Sequence, residues 1–317
     1  MNATATVPGF LPRPIRGILG TVAVGSVLLL ATLAIVSEVA FSVGLLAVAV
    51  AVVGMPHGGL DHLVGRAVFQ PLVGRFWAAW FLSGYLLVAA LVVVGWWLLP
   101  LVTIVLFFTA SAFHFGETEV GGRWVSPILG GMAIWMPILA RPGEVSSILG
   151  CIVPRDIAGD LADVTPSVLA LCLALAIVSV GWWVLYLATS IRRGRTVGIA
   201  HSVRLAAFAA TFIYLPVLVS FSIYFCAWHS SVELIRLSRQ YAPGDLRVGL
   251  ILVIRRAAPL SLIAVAGIAA FALIFYDGRG LAPATVQAVF IGLSAVAIPH
   301  MLLHRIASIG GLSAGRL

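Results

Sequence analysis

Charged side chains make up 9% of this 317-residue chain and hydrophobic ones 62%, against roughly 25% charged in a soluble globular domain, so an ordinary soluble fold is excluded. Charge-free windows of about 20 residues match the thickness of a bilayer, and the short alternating segments of a β-barrel do not occur. The net charge of +8 comes from nineteen basic residues, all of them arginine, and their placement assigns that charge to membrane orientation rather than to nucleic-acid binding.

The expected fold is an all-α, polytopic transmembrane bundle forming one integral-membrane domain over residues 1–317. A short N-terminal tail, 1–16, precedes it. Ten spans are read in chain order, near 18–36, 39–57, 76–98, 100–116, 125–140, 166–190, 200–216, 217–235, 257–276 and 285–304. Eight is the lower bound, because the fourth and fifth are short and Pro216 alone separates the seventh from the eighth. The first apolar run is too long for a cleavable signal, and no A-x-A-like site follows it. With both termini cytoplasmic, sixteen of the nineteen arginines fall inside, leaving Arg141, Arg155 and Arg279 outside. That asymmetry fits the positive-inside rule. The segment 141–165 reads as an external, solvated loop with a short amphipathic piece. Cys151, Cys172 and Cys226 have no framework spacing, so no structural disulfide is expected.

All seven histidines fall at the cytoplasmic ends of these spans. His57 and His62 close span two in "GMPHGGLDHL", and His114 closes span four in "SAFHFGETE". His201 opens span seven, His229 ends span eight in "FCAWHSSVE", and His300 and His304 end span ten in "IPHMLLHR". Polar groups at membrane depth are costly and mark a functional interior. Imidazole is the commonest side-chain metal ligand, and ligands projecting from facing helices suit a first-row metal. His57, His114, His229 and His300 are the candidate ligands. His201, beside an arginine-rich loop, reads as a loop-facing group. His62 and His304 read as supporting or capping residues. Acids recur three or four residues on, on the same helix face: Asp61 after His57, Glu117 after His114 and Glu233 after His229. Each is positioned to bind metal or to orient an imidazole.

Together, "PHGGLDH", "FHFGE", "YFCAWHS" and the late "PHMLL" resemble the Brp/Blh family of bacterial membrane enzymes, which cleave β-carotene at its central double bond to give retinal. The resemblance runs from about Met55 to His304. It implies a non-haem Fe(2+) cofactor held by His57, His114 and His229, which are the catalytic residues on this reading. The family's fourth histidine falls where this chain has Glu233, so Glu233 or His300 is the expected fourth ligand. It also implies a carotenoid and O2 as substrates, a multi-pass protein of the bacterial plasma membrane, and a retinal-binding rhodopsin as functional partner. Phe108, Phe113, Phe115, Tyr224 and Trp228, which precede the histidines on spans four and eight, are expected to wall a substrate tunnel. Two other classes compete. One is a transporter or metal permease with the histidines as transit ligands, which predicts polar residues in both membrane halves. The other is a histidine-rich diiron hydroxylase or desaturase, although only His300 and His304 show HxxxH spacing.

Overall fold

The computed structural model describes residues 39–309, apart from 118, 120, 121, 154–157, 275, 277 and 279, and every regular element among them is helical. Helix α1 (Val39–Ala49) runs through a π-helical segment (Val50–Gly54) into the single turn α2 (Met55–Gly58). There follow α3 (Asp61–Val73), α4 (Trp77–Leu98), α5 (Pro100–Gly116), α6 (Gly122–Gly130), α7 (Met132–Ala140) and α8 (Pro142–Ile152). Then come α9 (Ala158–Arg192), α10 (Thr196–Tyr214) and α11 (Val217–Ser222). The last of these continues through a second π-helical segment (Ile223–Ser230) into α12 (Ser231–Tyr241), before α13 (Leu246–Ile274) and α14 (Leu281–Ile309).

Among the described residues, six stretches are long and apolar enough to cross a membrane: Phe41–Leu98, Thr165–Arg192, Thr196–Tyr214, Val217–Tyr241, Leu246–Ile274 and Leu281–Ile309. Among the described residues there are thus six such stretches rather than the ten expected spans, and the reasons are local. The expected spans 39–57 and 76–98 fall within one apolar stretch, Phe41–Leu98, joined by α3. The expected span 125–140 is two nine-residue helices meeting at Gly131, each far short of a crossing. Pro100–Gly116 has 17 residues, about 25 Å at 1.5 Å per residue, against a hydrocarbon core of about 30 Å. The expected first span, the N-terminal tail and both chain ends lie outside the described residues. In the expected 141–165 loop, residues 142–152 are helical.

Helix α14 is the hub, packing against α1, α3, α4, α5, α8 and α13. Its inward face mixes small residues, Ala284, Ala288 and Ser294, with Ile291 and Leu293, and this lets neighbours approach closely. The break at Pro216 is closed by side chains. Arg141 donates to the Tyr214 carbonyl at 2.8 Å, and Glu144 accepts from the Val217 N–H at 2.7 Å. The end of α10 and the start of α11 thus find partners that lipid cannot supply.

Gly59 turns the chain from α2 into α3 directly against α13. A Cβ there would lie 2.5 Å from Ser261 Oγ and 2.6 Å from the Ala257 carbonyl oxygen. Gly59→Ala is expected to destabilise the protein by about 1–3 kcal/mol through this overpacking. A thermal melt of the detergent-solubilised variant checks it, and an unchanged melting temperature would contradict the contact.

Candidate metal centre

His57 sits one turn beyond the first π-helical segment, and His229 lies inside the second. A π-helical turn admits an extra residue and re-aims the side chains that follow, which is why such segments gather at functional sites. Ser230 and Ser231 support the wider turn by donating to the carbonyls five residues back, at Phe225 (2.9 Å) and Cys226 (3.1 Å). His114 arrives from the last turn of α5.

The structure brings these three side chains together. One ring nitrogen from each of His57, His114 and His229 lies within 4.8 Å of the others. The Nε2 atoms of His114 and His229 stand 3.3 Å apart. His57 donates from Nδ1 to the Gly54 carbonyl, which leaves Nε2 as the lone-pair nitrogen. Imidazoles converging with facing nitrogens and no anion between them form a donor set that attracts a cation. Three neutral nitrogens suit a first-row transition metal, so the residues present fit such an ion.

A second group of donors adjoins the first. His300 and His304, one turn apart on α14, meet Asp61. Asp61 is 3% exposed, and its Oδ1 accepts from His300 Nδ1 at 2.7 Å and lies 3.4 Å from His304 Nε2. Its Oδ2 accepts from the Tyr85 hydroxyl at 3.0 Å. Tyr85 escaped the sequence reading. The only signal was a lone phenol within "GYLLVAALVVV".

The remaining expected site residues lie elsewhere. Glu233 does not join either donor group; its carboxylate pairs with Arg236 at 2.7 Å. Glu117 is 68% exposed, with an oxygen 3.9 Å from His114 Nδ1. His62 hydrogen-bonds to the Gly59 carbonyl at 3.1 Å. His201 is not loop-facing: it is buried beside Arg204, whose Nη2 is 2.7 Å from its Nδ1. Arg204 also holds the buried Glu119 at 2.6 Å. Burial pushes the Glu119 carboxyl up, and the Arg204 guanidinium opposes that shift.

An apolar cavity of about 300 Å³ opens from the histidines, with His57, His114 and His300 in its wall. Its aromatic lining includes Phe107, Phe108, Phe115, Phe221, Phe225 and Phe290. Of the expected tunnel residues, Phe108 and Phe115 are there. Phe113 is turned outward at 58% exposure, whereas Tyr224 and Trp228 pack against Phe208.

Comparison with known proteins points the same way. A family model described as "Beta-carotene 15,15'-dioxygenase" matches residues 48–307. A beta-carotene 15,15'-dioxygenase from uncultured marine bacterium 66A03 is 25% identical over 264 residues, covering 79% of this chain and 88% of that protein. No solved structure matches.

Removing any one of the three converging imidazoles leaves an incomplete donor set. His57→Ala, His114→Ala and His229→Ala are each expected to lose most first-row metal from the purified protein. His201→Ala, outside both donor groups, is expected to keep it while melting at a lower temperature. Elemental analysis at matched protein concentration checks both, and metal retained in all three site variants would sink the assignment.

Proposed function

The chain belongs to the Beta-carotene 15,15'-dioxygenase family, and from that premise we propose that it is a membrane non-haem iron dioxygenase that cleaves the central double bond of β-carotene or a related carotenoid with O2. Each carbon of the broken C=C bond takes one oxygen atom, giving two aldehydes, retinal in the case of β-carotene, so no external reductant is needed. The observation that carries the reading is the convergence of three imidazoles, two of which, His57 and His114, wall an aromatic, apolar cavity. His57, His114 and His229 would hold the ion. Iron, when bound, supplies the redox chemistry with O2 that zinc lacks.

The chain's own residues do the rest. The Gly54 carbonyl fixes the tautomer of His57. Phe115, with its ring centre 4.8 Å from that of His229, and Phe225, at 5.9 Å from His57, shield the imidazoles from water. Neutral imidazoles add no negative charge to the site, which suits an uncharged polyene. Leu86 and Ile263 line the cavity yet are 58% and 67% exposed, so the cavity reaches the lipid-facing surface between α4 and α13. A bilayer-dissolved substrate can enter there without passing through water.

Expression in a carotenoid-producing bacterium tests the proposal. Loss of colour with accumulation of retinal is expected from the wild-type chain and not from His114→Ala. Unchanged pigment at matched protein and iron levels would overturn it. Leu86→Trp, which narrows the lipid-facing mouth, is expected to slow cleavage about tenfold, the equivalent of roughly 1.4 kcal/mol, with iron content unchanged. Pigment turnover and elemental analysis of the same membranes separate the two effects.

A further inference from the structure

The rings of His57, His229, His114 and His300 form a closed circuit. Centre-to-centre distances are 5.8 Å for His57–His229, 5.0 Å for His229–His114, 5.4 Å for His114–His300 and 5.5 Å for His300–His57. The planes cross at 89°, 70°, 89° and 82° respectively. Imidazoles bound to one ion through bonds of about 2.0–2.1 Å hold their ring centres roughly 5 Å apart. All four neighbouring pairs are near that spacing, so the His300 ring closes the circuit beside the three whose nitrogens lie within 4.8 Å of one another.

The protonation pattern agrees. Asp61 accepts from Nδ1 of His300 at 2.7 Å, so the lone pair of His300 is on Nε2. Asp61 is itself fixed by Tyr85, whose hydroxyl also lies 2.8 Å from the Val296 carbonyl, one turn before His300 on α14. A carboxylate behind a ligating histidine fixes the tautomer and raises the basicity of the ligand. Glu233 has no such placement. It lies one turn past His229, and its carboxylate is committed to Arg236.

We propose that His300 is the fourth ligand of the metal centre, presenting Nε2, with Asp61 and Tyr85 as the positioning residues that hold it. The proposal rests on the metal-centre reading above. It makes the centre a four-imidazole site and places the carboxylate one layer behind the ligands.

The test is metal binding by the full-length protein in detergent, reconstituted anaerobically with Fe(II) and titrated separately with Co(II). One iron per chain is expected. X-ray absorption at the iron edge should fit four imidazoles. His300→Ala should weaken Co(II) binding by at least tenfold, about the loss expected for an absent ligand, and Asp61→Asn by roughly 10- to 100-fold. Glu233→Ala should stay within about twofold of wild type, because no interaction with the ion is lost. Full Co(II) affinity in His300→Ala, with affinity lost in Glu233→Ala, would overturn the proposal. So would a three-imidazole absorption spectrum, or two metals per chain, which would make Asp61 a ligand. If His300→Ala does not fold, the wild-type spectrum decides. His229→Ala separates the levels. Metal lost there but kept in His300→Ala removes only this inference, whereas no metal in the wild type removes the centre itself.

Discussion

A carboxylate at 3% exposure inside an apolar bundle has to be surrounded by donors, and Asp61 is. His300 and His304 approach it from α14 and Tyr85 from α4, while Asp61 itself opens α3, where the helix dipole favours negative charge. An unpaired charge at such a place would cost several kcal/mol. The pairing therefore constrains the relative position of three helices. It also fixes the rotation of the His300 ring at the edge of the cavity. The geometry of the histidine group is thus inseparable from the packing of α3, α4 and α14.

Regular helices alone do not deliver the other imidazoles. His57 and His229 both depend on π-helical segments, and these two segments pack against each other. Small residues make room where they meet: a Cβ on Gly54 would lie 3.0 Å from the Phe225 ring. The serines after His229 take over carbonyls displaced by the wider turn. In lipid, where water cannot replace a lost backbone bond, such internal substitutes allow a helix to depart from regularity.

Composition made the membrane class legible, and the histidines picked out the helices that carry the centre, but not as helix ends: His229 lies inside the stretch Val217–Tyr241 and His300 nine residues before the end of α14. The aromatic wall was misread for a reason the helix makes plain. Neighbours in sequence are turned by about 100° from one another, whereas residues three, four or seven apart share a face. Phe113, on one side of His114 in sequence, is turned outward, while Phe115, on the other side, is turned in. Phe107 and Ser111, seven and three residues before His114, line the cavity with it. Likewise Phe225 and Phe221, four and eight residues before His229, line the cavity, and the adjacent Trp228 does not. The π-helical turns had no sequence signature. The burial of His201 and Glu119 followed from a pairing across 82 residues that local patterns do not encode.

That distant pairing shows how the bundle sorts its polar groups. Arg204 holds Glu119 and lies 4.8 Å over the ring of Trp228, the residue preceding His229. The guanidinium therefore braces the π-helical segment at Trp228, which does not line the cavity, and its charge is already matched by a carboxylate. Asp61 is likewise matched, by His300, His304 and Tyr85. Formal charges are thus paired, and the cavity wall is mostly phenyl and aliphatic, with His57, His114, His300 and the hydrogen-bonded Asp61 and Tyr85 among it. An uncharged, water-insoluble molecule entering that cavity meets no unpaired charge to desolvate. The strong polarity within its reach is the set of nitrogens that can hold a metal and the Asp61 carboxylate, which His300 and Tyr85 already satisfy.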